Sequence, residues 1–302
     1  SNLFIAEAQE DYGDLLQYEW PNPDGDKTSG FLTAGGPAPS TQEILWTSNL
    51  GEPVSAFNGM VFLTNGWAVD AFTGTPIYPH LGDGATKISE TQFMSTARPS
   101  LFSPIRNGYI YVYETNTGKH MYNYTIPNGI PASRSGQPAY DQDLGMFWTL
   151  QGEPFFGMDH ILYAWDWSDV SQEPTLKWEK FIQKGLGTLE FFDGYIFIGT
   201  TEMTCICLDG ESGDLLWEIP LEGYLGYSGS YYDGKYIHAT FDQIYCIEAA
   251  TGNVLWTFNA GTRWNFWANM GAIYNGIIYN INTDYHTYAL DIETGDLIWK
   301  FE

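Results

Sequence analysis

Ala289-Leu290-Asp291-Ile292-Glu293-Thr294-Gly295-Asp296-Leu297-Ile298-Trp299 decides how the rest of the chain is read. Cys246-Ile247-Glu248-Ala249-Ala250-Thr251-Gly252-Asn253-Val254-Leu255-Trp256 matches it position by position, as does Cys207-Leu208-Asp209-Gly210-Glu211-Ser212-Gly213-Asp214-Leu215-Leu216-Trp217. Weaker copies run from Asp70 through Thr73-Gly74 to Tyr78 and from Glu114 through Thr117-Gly118 to Tyr122. A degenerate copy with an altered turn spans Asp166 to Trp178. The Thr/Ser-Gly pairs are 44 (73 to 117), 39 (212 to 251) and 43 (251 to 294) residues apart. Such a period means one supersecondary unit per repeat.

The unit is built of strands. β-Branched and aromatic runs such as Tyr195-Ile196-Phe197-Ile198 and Ile277-Ile278-Tyr279 are punctuated by Asn58-Gly59, Asp193-Gly194, Asp233-Gly234 and Asn275-Gly276. Asn-Gly and Asp-Gly supply the positive φ that a tight hairpin needs. Asn107-Gly108 lies closer to its Thr-Gly pair and reads as the next hairpin turn along. Four strands per repeat, A to D from the axis outward, make a propeller blade. The Asp of the motif accepts backbone N–H groups in its own turn. The aromatic residue four positions after the Gly starts the outer strand and is placed to wedge against the next blade, so Trp46, Trp178, Trp217, Trp256 and Trp299 are expected to dock blades.

The pattern Ala-Leu-Asp-x-x-Thr-Gly-x-x-x-Trp resembles the repeat of the pyrroloquinoline-quinone (PQQ) type β-propellers, a superfamily that includes quinoprotein alcohol dehydrogenases and the outer-membrane assembly lipoprotein BamB. The opening resembles the family's lead-in: Trp20-Pro21, then Thr28-Ser29-Gly30, Pro37-Ala38-Pro39 and Leu45-Trp46. The resemblance covers about residues 20–302. It implies an all-β propeller of four-stranded antiparallel blades. Residues 42–302 would form the propeller and 1–41 a lead-in that contributes to the closing blade. Seven outer-strand starts (Trp46, Tyr78, Tyr122, Trp178, Trp217, Trp256, Trp299) favour seven blades, with six or eight as alternatives. The Trp46 strand lacks obvious partners; Leu3-Phe4-Ile5-Ala6 and Leu15-Leu16-Gln17-Tyr18 are candidates, and a longer protein or a neighbouring chain are the other sources.

Charge narrows the partners. The chain has 302 residues, 37 acidic against 12 Lys plus Arg, and a net charge of −25, with 44% apolar and 17% aromatic residues. That is ample for a core and argues against disorder. It also argues against nucleic-acid binding, which needs clustered cations. Apolar runs are too short for a membrane span. Three cysteines cannot make a disulfide framework. One sequon, Asn123-Tyr124-Thr125, and the Lys-poor composition fit an extracellular, cell-surface or periplasmic protein.

In a propeller the D-to-A and B-to-C loops converge on one axial face, where ligands and partners meet loops. Residues placed ahead of inner strands include Arg134, Gly187, Tyr227 and Asn269. Arg263, Trp264 and Trp267 precede the last blade; Phe155 lies in an enlarged loop, Gln151 to Gly157; Asp284, Tyr285 and His286 lie in the last B-to-C loop. Arg134 and Arg263 read either as sites for an anionic ligand or partner carboxylates or as structural salt bridges. Trp264 and Trp267 read either as a stacking surface or as an axial plug. Asn22, Asp24, Asp26 and Thr28 alternate like calcium ligands, but Lys27 stands where an EF-hand needs Gly and Thr33 replaces its Glu, so a polar loop is the alternative. Cys207 and Cys246 occupy the small buried slot of Ala289.

The resemblance implies PQQ, calcium and a catalytic Asp only for the dehydrogenase branch. This chain has no adjacent cysteine pair, the nearest being Cys205-Ile206-Cys207, and no haem-attachment motif. The expectation is a non-catalytic exported propeller, without a cofactor, binding a protein partner or a small polar or anionic ligand at the axial mouth. The alternatives are a PQQ- and calcium-dependent alcohol or sugar dehydrogenase and a carbohydrate-binding propeller. An incomplete blade would also offer an edge for self-assembly or a partner segment.

Overall fold

The computed structural model describes residues 2–5, 44–51, 53–63, 66–79, 83–97, 108–126, 139–152, 158–185, 190–223, 225–241, 243–261, 272–282 and 284–302. Every regular element among them is a β-strand. The chain begins with β1 (Asn2–Ile5) and β2 (Ile44–Ser48), which pair antiparallel. Six four-stranded sheets follow in order. The first holds β3 (Pro53–Phe57), β4 (Met60–Leu63), β5 (Trp67–Asp70) and β6 (Pro76–Pro79). The second holds β7 (Asp83–Lys87), β8 (Gln92–Ala97), β9 (Gly108–Glu114) and β10 (His120–Ile126). The third holds β11 (Ala139–Asp141), β12 (Met146–Gly152), β13 (Met158–Asp166) and β14 (Thr175–Gly185). The fourth is β15 (Glu190–Phe192), β16 (Tyr195–Gly199), β17 (Thr204–Asp209) and β18 (Leu215–Pro220). The fifth is β19 (Leu225–Tyr232), β20 (Lys235–Thr240), β21 (Ile244–Glu248) and β22 (Val254–Phe258). The sixth is β23 (Ala272–Tyr274), β24 (Ile277–Ile281), β25 (Thr287–Asp291) and β26 (Leu297–Phe301). In each, sequence neighbours are spatial neighbours, as an A-B-C-D meander requires. The described residues therefore comprise six complete blades and one two-stranded sheet.

Turn chemistry explains the meander. Asn58, Asp193, Asp233 and Asn275 all have positive φ, each followed by a positive-φ Gly, the type I′ geometry that joins strand A to strand B. The outer turn is held by its Asp. Asp209 Oδ1 accepts from the N–H groups of Glu211 (3.0 Å) and Ser212 (2.7 Å), and Asp291 Oδ1 does the same for Glu293 and Thr294. The outer strand then starts with a bulge: Cys207 pairs Trp217 but Leu208 pairs Leu215, and Cys246–Trp256 followed by Ile247–Val254 repeats the step.

Successive blades are joined by the outer aromatic. The Trp217 indole N–H donates to Ala249 O at 2.7 Å, Trp256 to Ile292 O at 2.9 Å, Trp178 to Glu211 O at 2.9 Å and Trp46 to Ala71 O at 2.9 Å. Tyr122 donates from its hydroxyl to Val170 O at 2.5 Å, and Tyr78 to Thr115 O. Each acceptor lies in the next blade's outer turn. The Gly of that turn is required twice over: Gly252 has φ +77°, and a Cβ there would sit 2.8 Å from Trp217 Cδ2. Between blades the cores interlock, as where Phe197 stacks on Tyr236 with centroids 3.9 Å apart.

Trp299 differs from the other docking tryptophans. It is 41% exposed, against 7% for Trp217. Its ring meets Tyr279, and no following turn among the described residues covers it. Leu15 to Tyr18 and the rest of residues 6–43 lie outside the described residues, so of the lead-in only β1 is described. The Trp46 strand finds its partner in β1.

Candidate functional site

Strand direction sorts the loops. A-to-B and C-to-D turns share one axial face and are short, the longest running from 167 to 174. B-to-C and D-to-A connections share the other face, and there the lengths diverge: 80–82, 127–138, 186–189 and 259–271 lead into inner strands, while 98–107, 153–157 and 282–286 link second to third strands. This second face is the mouth.

Many of the expected mouth residues fall outside the described residues: Arg134, Phe155, Arg263, Trp264 and Trp267, together with Gly187 and Asn269. So do Asn22, Asp24, Asp26 and Thr28. Tyr227 lies within β19 rather than ahead of it, because that inner strand begins at Leu225. Gln151 and Gly152 likewise belong to β12, which shortens the expected loop. The described part of the mouth centres on His286 and on the inner strands of the fourth and fifth blades.

The His286 loop is braced from within. Asp284 Oδ2 accepts from Tyr288 Oη (2.6 Å) and Lys300 Nζ (3.0 Å), while Asp284 Oδ1 accepts from the His286 N–H (3.1 Å). Burial alone would raise the Asp284 carboxyl; these hydrogen bonds and the Lys300 charge overcome it and hold the group at about 2. His286 Nδ1 lies 2.8 Å from Asp284 O. The bracing holds Tyr285 at φ +66°, a costly region for an aromatic residue, with its side chain 88% exposed. A pre-ordered, exposed tyrosine suits a protein contact.

Beside the mouth lies a buried polar chain. Glu190 opens β15 and is fully buried. Its Oε1 accepts from Gly229 N–H and its Oε2 from Tyr236 Oη, both at 2.5 Å. The Tyr236 oxygen is 2.9 Å from His238 Nδ1. His238 Nε2 is buried with no hydrogen-bond partner among the described residues. Gly229 admits the arrangement, since a Cβ there would lie 2.5 Å from Tyr236 Cε2.

Burial raises the Glu190 carboxyl to about 7, against the opposing hydrogen bonds from Tyr236 and Gly229. Burial also lowers His238 to about 4. Both groups are thereby driven towards neutrality. With Glu190 protonated, its O–H donates to Tyr236, Tyr236 donates to Nδ1, and Nε2–H is left as a donor. With Glu190 ionised, Tyr236 donates to the carboxylate and accepts from Nδ1–H, leaving Nε2 as an acceptor. The chain thus links the carboxyl's protonation to the hydrogen-bonding sense of the imidazole edge.

Strand register contains a signal for this site that motif reading overlooks. Glu190 pairs Phe197 where other blades pair Ser55 with Phe62, Thr86 with Met94, Ala139 with Trp148, Ser230 with Ile237 and Ala272 with Tyr279. A carboxylate occupies a slot that five other blades fill with small residues.

Cys205, Cys207 and Cys246 are buried free thiols. Burial pushes the Cys205 thiol well up, with Glu190 adding to the effect. Among the described residues no three His, Cys, Asp or Glu side chains converge as a calcium site would need. No described helix is long and apolar enough to cross a membrane.

Comparison with known proteins agrees with this architecture. A family model described as outer membrane protein assembly factor BamB matches residues 226–302. No curated protein sequence matches. Among solved structures, BamB from Moraxella catarrhalis is similar at 17% identity and a TM-score of 0.54, covering 86% of this chain and 80% of that one. A europium-containing methanol dehydrogenase is similar at 11% identity and TM-score 0.58, over 86% and 72% of the two chains. A quinohemoprotein alcohol dehydrogenase from Pseudomonas putida HK5 follows at 12% identity and TM-score 0.56, over 85% and 62%. At these identities the likeness is one of fold: a β-propeller of four-stranded antiparallel blades.

Proposed function

We propose that this PQQ-type propeller is a non-catalytic, exported platform that binds a protein partner at its mouth. The observation that supports the reading is the contrast between its two faces. One face is made of short turns, of which the outer ones each hold an aromatic side chain of the preceding outer strand. The other combines connections of very different length with a braced loop presenting Tyr285. Structural constraint is concentrated on the first face, which leaves the second open to specialise in recognition.

The likeness to BamB, described as an outer membrane assembly factor, supports a protein partner and a periplasmic or cell-surface setting. The net charge of −25 favours a basic partner surface through long-range attraction. Arg134, Arg263, Trp264 and Trp267 belong to the same proposed mouth.

The test is cross-linking of the protein in its native envelope, followed by substitution of Tyr285 and His286 with Ala. The platform reading expects one specific cross-linked partner, lost on substitution at the mouth and retained on substitution of Thr251 in an outer turn. Dye-linked oxidation of an alcohol or sugar after addition of PQQ and calcium overturns it.

A further inference from the structure

An outer strand ends each of the six four-stranded sheets. A strand edge open to solvent invites pairing with another chain, and lysine or proline on the strand blunts that tendency. Four of the six outer strands carry one or the other: Pro76 and Pro79 in β6, Lys177, Lys180 and Lys184 in β14, Pro220 in β18 and Lys300 in β26. β10 (His120–Ile126) and β22 (Val254–Phe258) carry neither. β10 is the longer of these two, seven residues against five, and Met121 on it is 43% exposed.

The same strand carries Asn123-Tyr124-Thr125, the one Asn-x-Ser/Thr triplet in the chain. Such a triplet, with any residue but Pro in the middle, is the acceptor sequence for an N-linked sugar. Strand alternation sorts its side chains. Tyr122 donates from its hydroxyl to Val170 O in the third blade, and Tyr124 meets Trp167 of that blade edge to face, with centroids 5.9 Å apart. Both tyrosines are thus turned to the third blade. Asn123, between them, is sent to the opposite side, where it is exposed. Its backbone is held extended against Tyr111 of β9, and Thr125 follows two residues on in the same strand.

We propose that Asn123 is the acceptor of an N-linked oligosaccharide, and that the sugar shields the outer strand of the second blade. The donor class is an oligosaccharide carried on a lipid phosphate. In the transfer, Asn123 Nδ2 bonds to the anomeric carbon of the first sugar. The bond from that carbon to the donor's phosphate oxygen breaks, the lipid phosphate leaves with the electron pair, and one Nδ2 proton passes to a base of the transferase. Nothing is oxidised or reduced. A bulky, hydrated group at this position does for β10 what Lys and Pro do for four other outer strands: it keeps a foreign strand from the edge. The inference rests on the exported setting of the platform reading, since acceptor triplets are used in secreted chains. It does not depend on what binds at the mouth.

The test is peptide mapping by mass spectrometry of the full chain recovered from its native envelope. The peptide holding Asn123 is expected to carry added mass and to release sugar ions on fragmentation. Asn123→Gln and Thr125→Ala are expected to abolish the addition, and Thr125→Ser, which keeps the hydroxyl, to retain it. That contrast separates recognition by a transferase from a structural role for the threonine. The shielding role is read in solution: Asn123→Gln is expected to self-associate more than the sugar-bearing chain, and equal association overturns that role. A chain found in the envelope with Asn123 bare, or with sugar only at other residues, overturns the inference and leaves the platform reading standing. An unmodified chain found only in the cytosol overturns both. Cofactor-dependent oxidation at the mouth would end the platform reading without altering the sugar result.

Discussion

Glu190 and His238 titrate against each other, and the sign of each effect follows from its shift. Glu190 is raised from 4.5 to about 7, so its contribution is fully present below pH 4.5 and lost as pH rises through 7. His238 is lowered from 6.5 to about 4, so its contribution is present above pH 6.5 and lost as pH falls through 4. Between these limits the two slopes oppose, each up to about 1.4 kcal/mol per pH unit. Glu190→Gln is expected to become less stable than the parent chain as pH drops from 6.5 towards 4; His238→Asn is expected to gain relative stability as pH drops from 7 towards 4.5. Urea midpoints across that range check both. Tyr236→Phe keeps the ring stack on Phe197 but strands Glu190 Oε2, which should cost about 1–3 kcal/mol. This site was hard to see beforehand because no spacing rule marks it. Its three residues come from two blades, and only strand pairing shows that Glu190 fills a slot where other blades carry Ser, Thr or Ala.

At the scale of the element, the outer strand and its turn are the unit of construction. Trp217→Ala should cost roughly 3–5 kcal/mol, the usual loss for a buried large aromatic. The same change at the half-exposed Trp299 should cost much less. Chemical denaturation of the two variants measures the difference. Gly252→Ala combines φ +77° with a Cβ only 2.8 Å from Trp217 Cδ2, so a lower thermal midpoint is expected. These elements were legible in the sequence. Thr-Gly followed by Trp at fixed spacing reports a turn, a bulge and an indole contact at once, because local geometry dictates all three. Long connections carry no such constraint. Arg134 and Trp264 could be assigned to the mouth by order along the chain, but their contacts are not dictated by any repeat.

At the scale of the molecule, the six meanders and the two-stranded sheet among the described residues give one repeating interface used many times over. Stability is then spread over like junctions, and damage at one should spread to its neighbours first. With 37 acidic and 12 basic side chains, self-repulsion opposes the compact state. The thermal midpoint should rise between low salt and about 0.15 M, where the Debye length is about 8 Å. The repeat count was the least legible feature at this scale. Seven outer aromatics can be counted in the sequence, but β1 is a four-residue strand separated from β2 by residues 6–43. Its register against β2 repeats the bulged offset between Cys207–Trp217 and Leu208–Leu215, which its composition does not announce.

The claim that each blade is locked to the next through its outer indole is tested most directly by nuclear magnetic resonance of the tryptophan side chains. The indole N–H protons of Trp46, Trp217 and Trp256 should exchange slowly with solvent and that of Trp299 quickly, each resonance assigned by single Trp→Phe substitution. Rapid exchange at Trp217 and Trp256, or equal protection at Trp299 in the isolated chain, would contradict it.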